Sequence, residues 1–163
     1  MKSFPLIILV LVGLIGVIFY YLKAQVLIIS VSPNEISKIE FEDSVLGKIA
    51  PPITDRNVIE KWTQDLHESK FTKNPHYNWS VILGRVYFEG TDGVPEASMC
   101  ANIEQSLLAD DPEINSYGVY TANHSPLYND IVDYIKTENA DYYNHQMKLL
   151  ERLRATQGDH VHE

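Results

Sequence analysis

The sequence predicts an α+β fold: an N-terminal transmembrane helix followed by one small domain with a mostly antiparallel sheet, one mid-chain helix and a long C-terminal helix. Three observations predict it. Pro5 to Leu22 reads PLIILVLVGLIGVIFYYL, 18 residues without a charge. Segments of alternating or β-branched character recur between Ser37 and Ala122, and two stretches carry apolar residues at helical spacing. An order of strand, helix, strands and helix suits a sheet with its helices packed on one face.

At about 1.5 Å of rise per residue the apolar run makes a helix of roughly 27 Å, close to the roughly 30 Å hydrocarbon core of a bilayer. Phe19, Tyr20 and Tyr21 suit the headgroup level, and Lys23 can extend its ammonium outward. The expected organisation is a cytoplasmic stub over 1–4, a transmembrane signal-anchor over 5–23, an exported α+β domain over 24–155 and a flexible tail over 156–163. A signal peptide cut near Leu22-Lys23-Ala24 is the alternative, although the run is longer than a usual signal core and lacks a small-x-small cleavage pattern. Gly13 and Gly16 are three apart, so the four-residue spacing of membrane-helix dimers is missing.

Val26 to Val31 is β-branched and precedes the turn composition Ser32-Pro33-Asn34-Glu35, which predicts a first strand. Ser37 to Glu42 alternates, with Ile39 and Phe41 on one face and Lys38, Glu40 and Glu42 on the other. Gly47 to Pro52 reads as a break. Asp55 then caps a helix whose apolar stripe is Val58, Ile59, Trp62 and Leu66. Lys70 to Asn78 reads as a polar connection, and Trp79 to Glu89 as a central strand bent or bulged at Gly84. After the Gly90-Thr91-Asp92-Gly93 turn, Glu96 to Leu108 is expected to return as an antiparallel strand, with Ser116 to Ala122 as a further short one. Ser125-Pro126 starts the C-terminal helix. Its stripe lapses near 137–140 and resumes at Tyr142, leaving open one helix of about 45 Å or two shorter ones.

Charge and composition exclude some functions. Beyond Lys23 there are 11 basic and 22 acidic side chains, a formal charge of −11. Such a surface repels nucleic acid and anionic lipid, and favours a basic protein partner or a cation. Cys100 is the single cysteine, which precludes an internal disulfide and is expected to be a small buried hydrophobe. Asn78-Trp79-Ser80 and Asn123-His124-Ser125 match the glycosylation pattern, which matters only in a eukaryotic secretory pathway.

No complete catalytic, metal or cofactor motif is present. His67-Glu68 opens like a zinc-protease motif, but Phe71 stands where the second histidine belongs. The terminal Asp159, His160, His162 and Glu163 have metal-binding groups on a segment too loose to fix three or four ligands. No serine sits in a Gly-x-Ser-x-Gly elbow. The sequence therefore predicts no catalytic residues, no metal site and no cofactor. Six of the ten tyrosines fall between Tyr117 and Tyr143, beside the acidic loop Asp110-Asp111-Pro112-Glu113. Tyrosine is enriched at protein interfaces, so Asp110, Asp111, Glu113, Tyr117 and Tyr120 are the predicted partner-binding residues.

The expectation is a membrane-tethered extracytoplasmic module that binds a protein, either an accessory subunit of an envelope assembly or an inhibitor of a basic effector. It would be single-pass in the inner membrane with its domain in the periplasm or outside. The alternative is an envelope hydrolase acting on cell-wall glycans through the carboxylates near Asp110 to Glu113.

Overall fold

A computed structural model describes residues 12–14, 26–74, 81–103, 106–109 and 119–158 of the chain. Their organising element is an eight-stranded sheet in which every pairing is antiparallel. The strands are β1 (Val26–Leu27), β2 (Ile36–Asp43), β3 (Gly47–Ile53), β4 (Phe71–Asn74), β5 (Ile82–Gly90), β6 (Pro95–Asn102), β7 (Ser106–Ala109) and β8 (Val119–Asn123). They lie in the order β1-β4-β8-β7-β6-β5-β2-β3. The α-helices that accompany them after β1 are, among the described residues, α1 (Arg56–Glu68), α2 (Pro126–Glu138) and α3 (Ala140–Gly158).

One part of the expected fold class is corrected. Among the described residues no helix is long and apolar enough to cross a membrane, and of the Pro5–Leu22 run only Val12, Gly13 and Leu14 are described, as helix. The transmembrane helix is therefore unsupported. Hydropathy measures how well a run suits an apolar solvent, whereas spanning demands an unbroken helix of about 20 residues, and the first property does not establish the second.

Local signals explain the elements that match expectation. Asp55 caps α1 with its carboxylate, accepting from Asn57 N at 2.9 Å and Val58 N at 3.2 Å. Ile59, Trp62 and Leu66 of the predicted stripe are buried beneath the sheet. On β2 and β5 the registers Phe41↔Val86 and Ile39↔Phe88 set four apolar side chains on the helix-covered face. Phe41 meets Trp62 edge-on at 6.0 Å between ring centroids, and Tyr134 of α2 joins both rings. The bulge predicted near Gly84 is present as a register shift between Ile82 and Gly84.

Other elements depart from expectation for identifiable reasons. Gly47 to Pro52 is strand β3, because it lies at the sheet edge, where proline needs no ladder partner for its missing N–H. Its outward carbonyls are covered: Tyr134 Oη donates to Pro51 O at 3.0 Å and Asn139 Nδ2 donates to Ile49 O at 2.9 Å. This closes the edge against pairing with another chain. The stretch expected as one strand from Glu96 to Leu108 divides into the paired strands β6 and β7. Part of the polar Lys70–Asn78 connection is β4, recruited by pairing with β8. The C-terminal helix is two helices, separated at Asn139 (φ −147°, ψ 69°). Ser125 precedes α2 without capping it, its Oγ lying 2.5 Å from Ser69 Oγ beyond the end of α1.

Candidate functional site

The side of β2 and β5 opposite Ile39, Phe41, Val86 and Phe88 carries polar groups. The registers Glu42↔Arg85, Glu40↔Tyr87 and Arg85↔Cys100 set these side chains across neighbouring strands on one face, as the period-2 alternation of β-strands requires. Glu40 is 9 % exposed. Its Oε1 receives Lys38 Nζ at 2.8 Å and Lys48 Nζ at 2.9 Å, and Lys38 also reaches Glu89 at 3.1 Å. The hydrogen bonds from Lys38 and Lys48 outweigh burial and hold the Glu40 carboxyl below the usual carboxylate range.

At the end of this face the β2–β3 turn is tied down by one carboxylate. Asp43 Oδ1 accepts from Val45 N at 2.8 Å and Leu46 N at 2.9 Å, while Oδ2 accepts from Tyr142 Oη at 2.9 Å. Tyr142 Oη also lies 2.7 Å from Leu83 O, so its one proton is shared between β2 and β5. Burial lifts the Tyr142 phenol far above its ordinary value, and the Asp43 carboxylate raises it further, against an opposing hydrogen bond from Gln146. For Asp43, burial acts upward, but the donors on Leu46, Val45 and Tyr142 together prevail and keep the carboxyl low. Gly47 completes the turn at φ +75°, a conformation that favours glycine.

The result is a hydrogen-bonded tip bearing two apolar side chains in water: Val45 is 87 % and Leu46 65 % exposed. Beside it lies an open recess of about 400 Å³, whose lining includes Glu42, Ser44, Arg85, Tyr87, Cys100 and Gln146. The exposed apolar pair thus stands next to a recess whose lining includes a tyrosine and an arginine, two residue types enriched at protein interfaces. Among the described residues no conventional catalytic set is assembled there. Among the described residues no group of three or more His, Cys, Asp or Glu side chains is placed to hold a metal ion.

Of the partner-binding residues predicted from sequence, one is described. Asp110, Asp111, Glu113 and Tyr117 fall outside the described residues, as do the carboxylates of the hydrolase alternative and the terminal histidines. Tyr120 is described: it stands on β8 opposite Ala109 and Lys73, 7 % exposed, with its ring in the hydrophobic core. Cys100 is buried, as expected of a small hydrophobe, and borders the recess. The tip escaped the sequence reading although it left a signal, since Val45 and Leu46 are large apolar residues in a turn otherwise built from Asp, Ser and Gly.

The chain matches no protein-family model, no curated protein and no solved structure.

Proposed function

We propose that this chain is a protein-binding module of the cell envelope that engages a basic partner through the Val45–Leu46 tip and the recess beside it. The observation that carries the proposal is the construction of the tip. Asp43 binds two backbone N–H groups of the turn and the Tyr142 hydroxyl, so Val45 and Leu46 are held in place before any partner arrives. Pre-ordering removes part of the entropy cost of association. Transfer of two such side chains from water into a partner contributes roughly 3–6 kcal/mol before association costs. An isolated exposed leucine has no meaning of its own, whereas here two exposed apolar side chains share one hydrogen-bonded turn, and the proposal rests on that pairing.

The formal charge of −9 supports a basic partner and disfavours nucleic acid. Asp110, Asp111, Glu113 and Tyr117 supply further acidic and aromatic contacts in this proposal. The charge-free run Pro5–Leu22, read as an export signal, supports the envelope address. The roles that fit are an accessory subunit of an envelope assembly or an inhibitor of a basic effector.

The test is cross-linking in intact cells followed by purification of the full chain, in parallel with a Val45→Asp, Leu46→Asp double variant. A stoichiometric partner that the parent captures and the variant loses, at unchanged melting temperature, supports the proposal. Equal capture by both proteins removes the tip from it.

A further inference from the structure

The recess beside the tip is lined by two acceptors that no donor among the described residues satisfies: the Glu42 carboxylate on β2 and the Gln146 carbonyl on α3. Glu42 is half-buried. The sheet registers set it opposite Lys48 on β3 and Arg85 on β5, yet neither cation pairs with it. Lys48 Nζ turns to Glu40 Oε1 at 2.9 Å, and Arg85 has a partner of its own. Among the described residues Glu42 enters no ion pair.

Gln146 is only 7 % exposed and follows Tyr142 by one helical turn. The single Tyr142 proton is committed to Asp43 and Leu83, so the phenol oxygen accepts from the Gln146 amide, the hydrogen bond that opposes the upward shift of the phenol. That bond uses Nε2 and fixes the carboxamide. Its Oε1 accepts no hydrogen bond among the described residues, where no fully buried polar atom lacks a partner, so this oxygen opens onto the recess. Tyr87 contributes a half-buried aromatic ring to the same lining.

A carboxylate and an amide carbonyl held on separate elements, beside an aromatic ring, are the complement of a planar donor. Arginine presents five N–H groups in a fixed fork, and its guanidinium stacks on aromatic faces. Lysine brings a point charge whose three donors diverge from one nitrogen. We infer that the partner's anchor in this recess is an arginine, its guanidinium donating to the Glu42 carboxylate and to Gln146 Oε1 and lying against the Tyr87 ring. This rests on the reading of tip and recess as a docking site, and names the residue type docked there. Arg85 is already partnered and Glu42 is not, so the unmet charge of the recess is negative and an acidic segment does not fit. The formal −9 of the chain favours the same cation. Arg85 still opposes an incoming cation, so this contact alone should bind in the millimolar range and draw further affinity from the tip.

The test is a titration of the isotope-labelled full-length protein with N-acetylarginine methylamide, followed by NMR. The citrulline analogue keeps the shape and loses the charge; the lysine analogue keeps the charge and loses the fork. Saturable shifts are expected with arginine at the Gln146 side-chain amide and at the backbone of Glu42 and Tyr87. Affinity should be about tenfold weaker for either analogue, and Glu42→Gln should weaken arginine by a similar factor at an unchanged melting temperature. Val45→Asp with Leu46→Asp should leave the titration unchanged while abolishing partner capture in cells, which separates the two readings. Captured partner without arginine selectivity removes the arginine alone, whereas selective arginine binding with no partner captured removes the docking role. Equal binding of either analogue by the parent, or unchanged affinity in Glu42→Gln, overturns the inference. So does self-association in the ultracentrifuge that Glu42→Gln abolishes, because it would place an arginine of a second copy in the recess.

Discussion

Replacing Tyr142 by phenylalanine removes one oxygen from a buried ring and should disconnect α3 from both strands beneath the tip. The ring volume is kept, so the loss is polar. One proton serves Leu83 O at 2.7 Å and Asp43 Oδ2 at 2.9 Å, and it counts once. A hydrogen bond to a charged group contributes about 1.5–3 kcal/mol net, and removing the donor also leaves the Leu83 carbonyl short of a partner. We expect Tyr142→Phe to destabilise the fold by about 2 kcal/mol, which for a chain of this size lowers the melting temperature by roughly 4–8 °C. Urea denaturation measures the free energy directly, and repeating it across pH isolates the Asp43 component. The Asp43 carboxyl is held below its unfolded value, so the stability it contributes is present above the unfolded pKa of about 3.9 and is lost as pH falls through the folded pKa. Without the Tyr142 donor its folded pKa rises towards the ordinary value. The difference between parent and variant should therefore be greatest near neutral pH and shrink below about pH 4. A difference under about 0.5 kcal/mol at neutral pH, or one that does not diminish in acid, would refute the assignment of Asp43 and Tyr142 as the clamp of the tip.

Two further substitutions examine the scaffold around that clamp. Asn139 accepts from Tyr142 N at 3.1 Å at the start of α3 and donates to the carbonyl of Ile49 on the edge strand. Asn139→Ala should cost about 2 kcal/mol by urea denaturation, about one for the cap and one for the strand contact, whereas Asn139→Asp keeps the cap acceptor and should cost about half as much. A Cβ on Gly84 would stand 2.6 Å from Ile49 Cδ1. Gly84→Ala should therefore destabilise by about 1–2 kcal/mol, and Ile49→Val, which deletes that Cδ1, should relieve most of the cost in a double-mutant cycle. Additive losses would show that the two sites do not collide.

Much of the sheet-and-helix plan was legible because its signals are local. Asp55 and the Val58–Ile59–Trp62–Leu66 stripe define α1 within four-residue intervals, and the alternation of Ile39 and Phe41 against Lys38, Glu40 and Glu42 defines the two faces of β2. The position of β3 was not legible, since Pro51 and Pro52 argue against a strand until its place at the sheet edge is known. Tyr120 was singled out by composition alone, and its position on β8, which sets its ring in the core, depends on which strands become neighbours. Val45 and Leu46 stand as an apolar pair in a turn that the neighbouring Asp43 can close locally, but nothing near them in sequence indicates that Tyr142 holds Asp43 in turn.

By itself, then, the amino-acid order determined the α+β class, α1, the alternating strands β2 and β5, the acidic balance and the lack of a complete catalytic or metal motif. Each depends on side-chain pattern or composition, which acts within a few residues or over the whole chain. The tertiary structure alone decided the strand order, the division of the C-terminal helix at Asn139 and the candidate site. Tyr142 meets Asp43 across 99 residues and Leu83 across 59, and such a meeting depends on which strands become neighbours. That choice is made by burying the apolar faces of distant segments together, so no local stretch of sequence contains it.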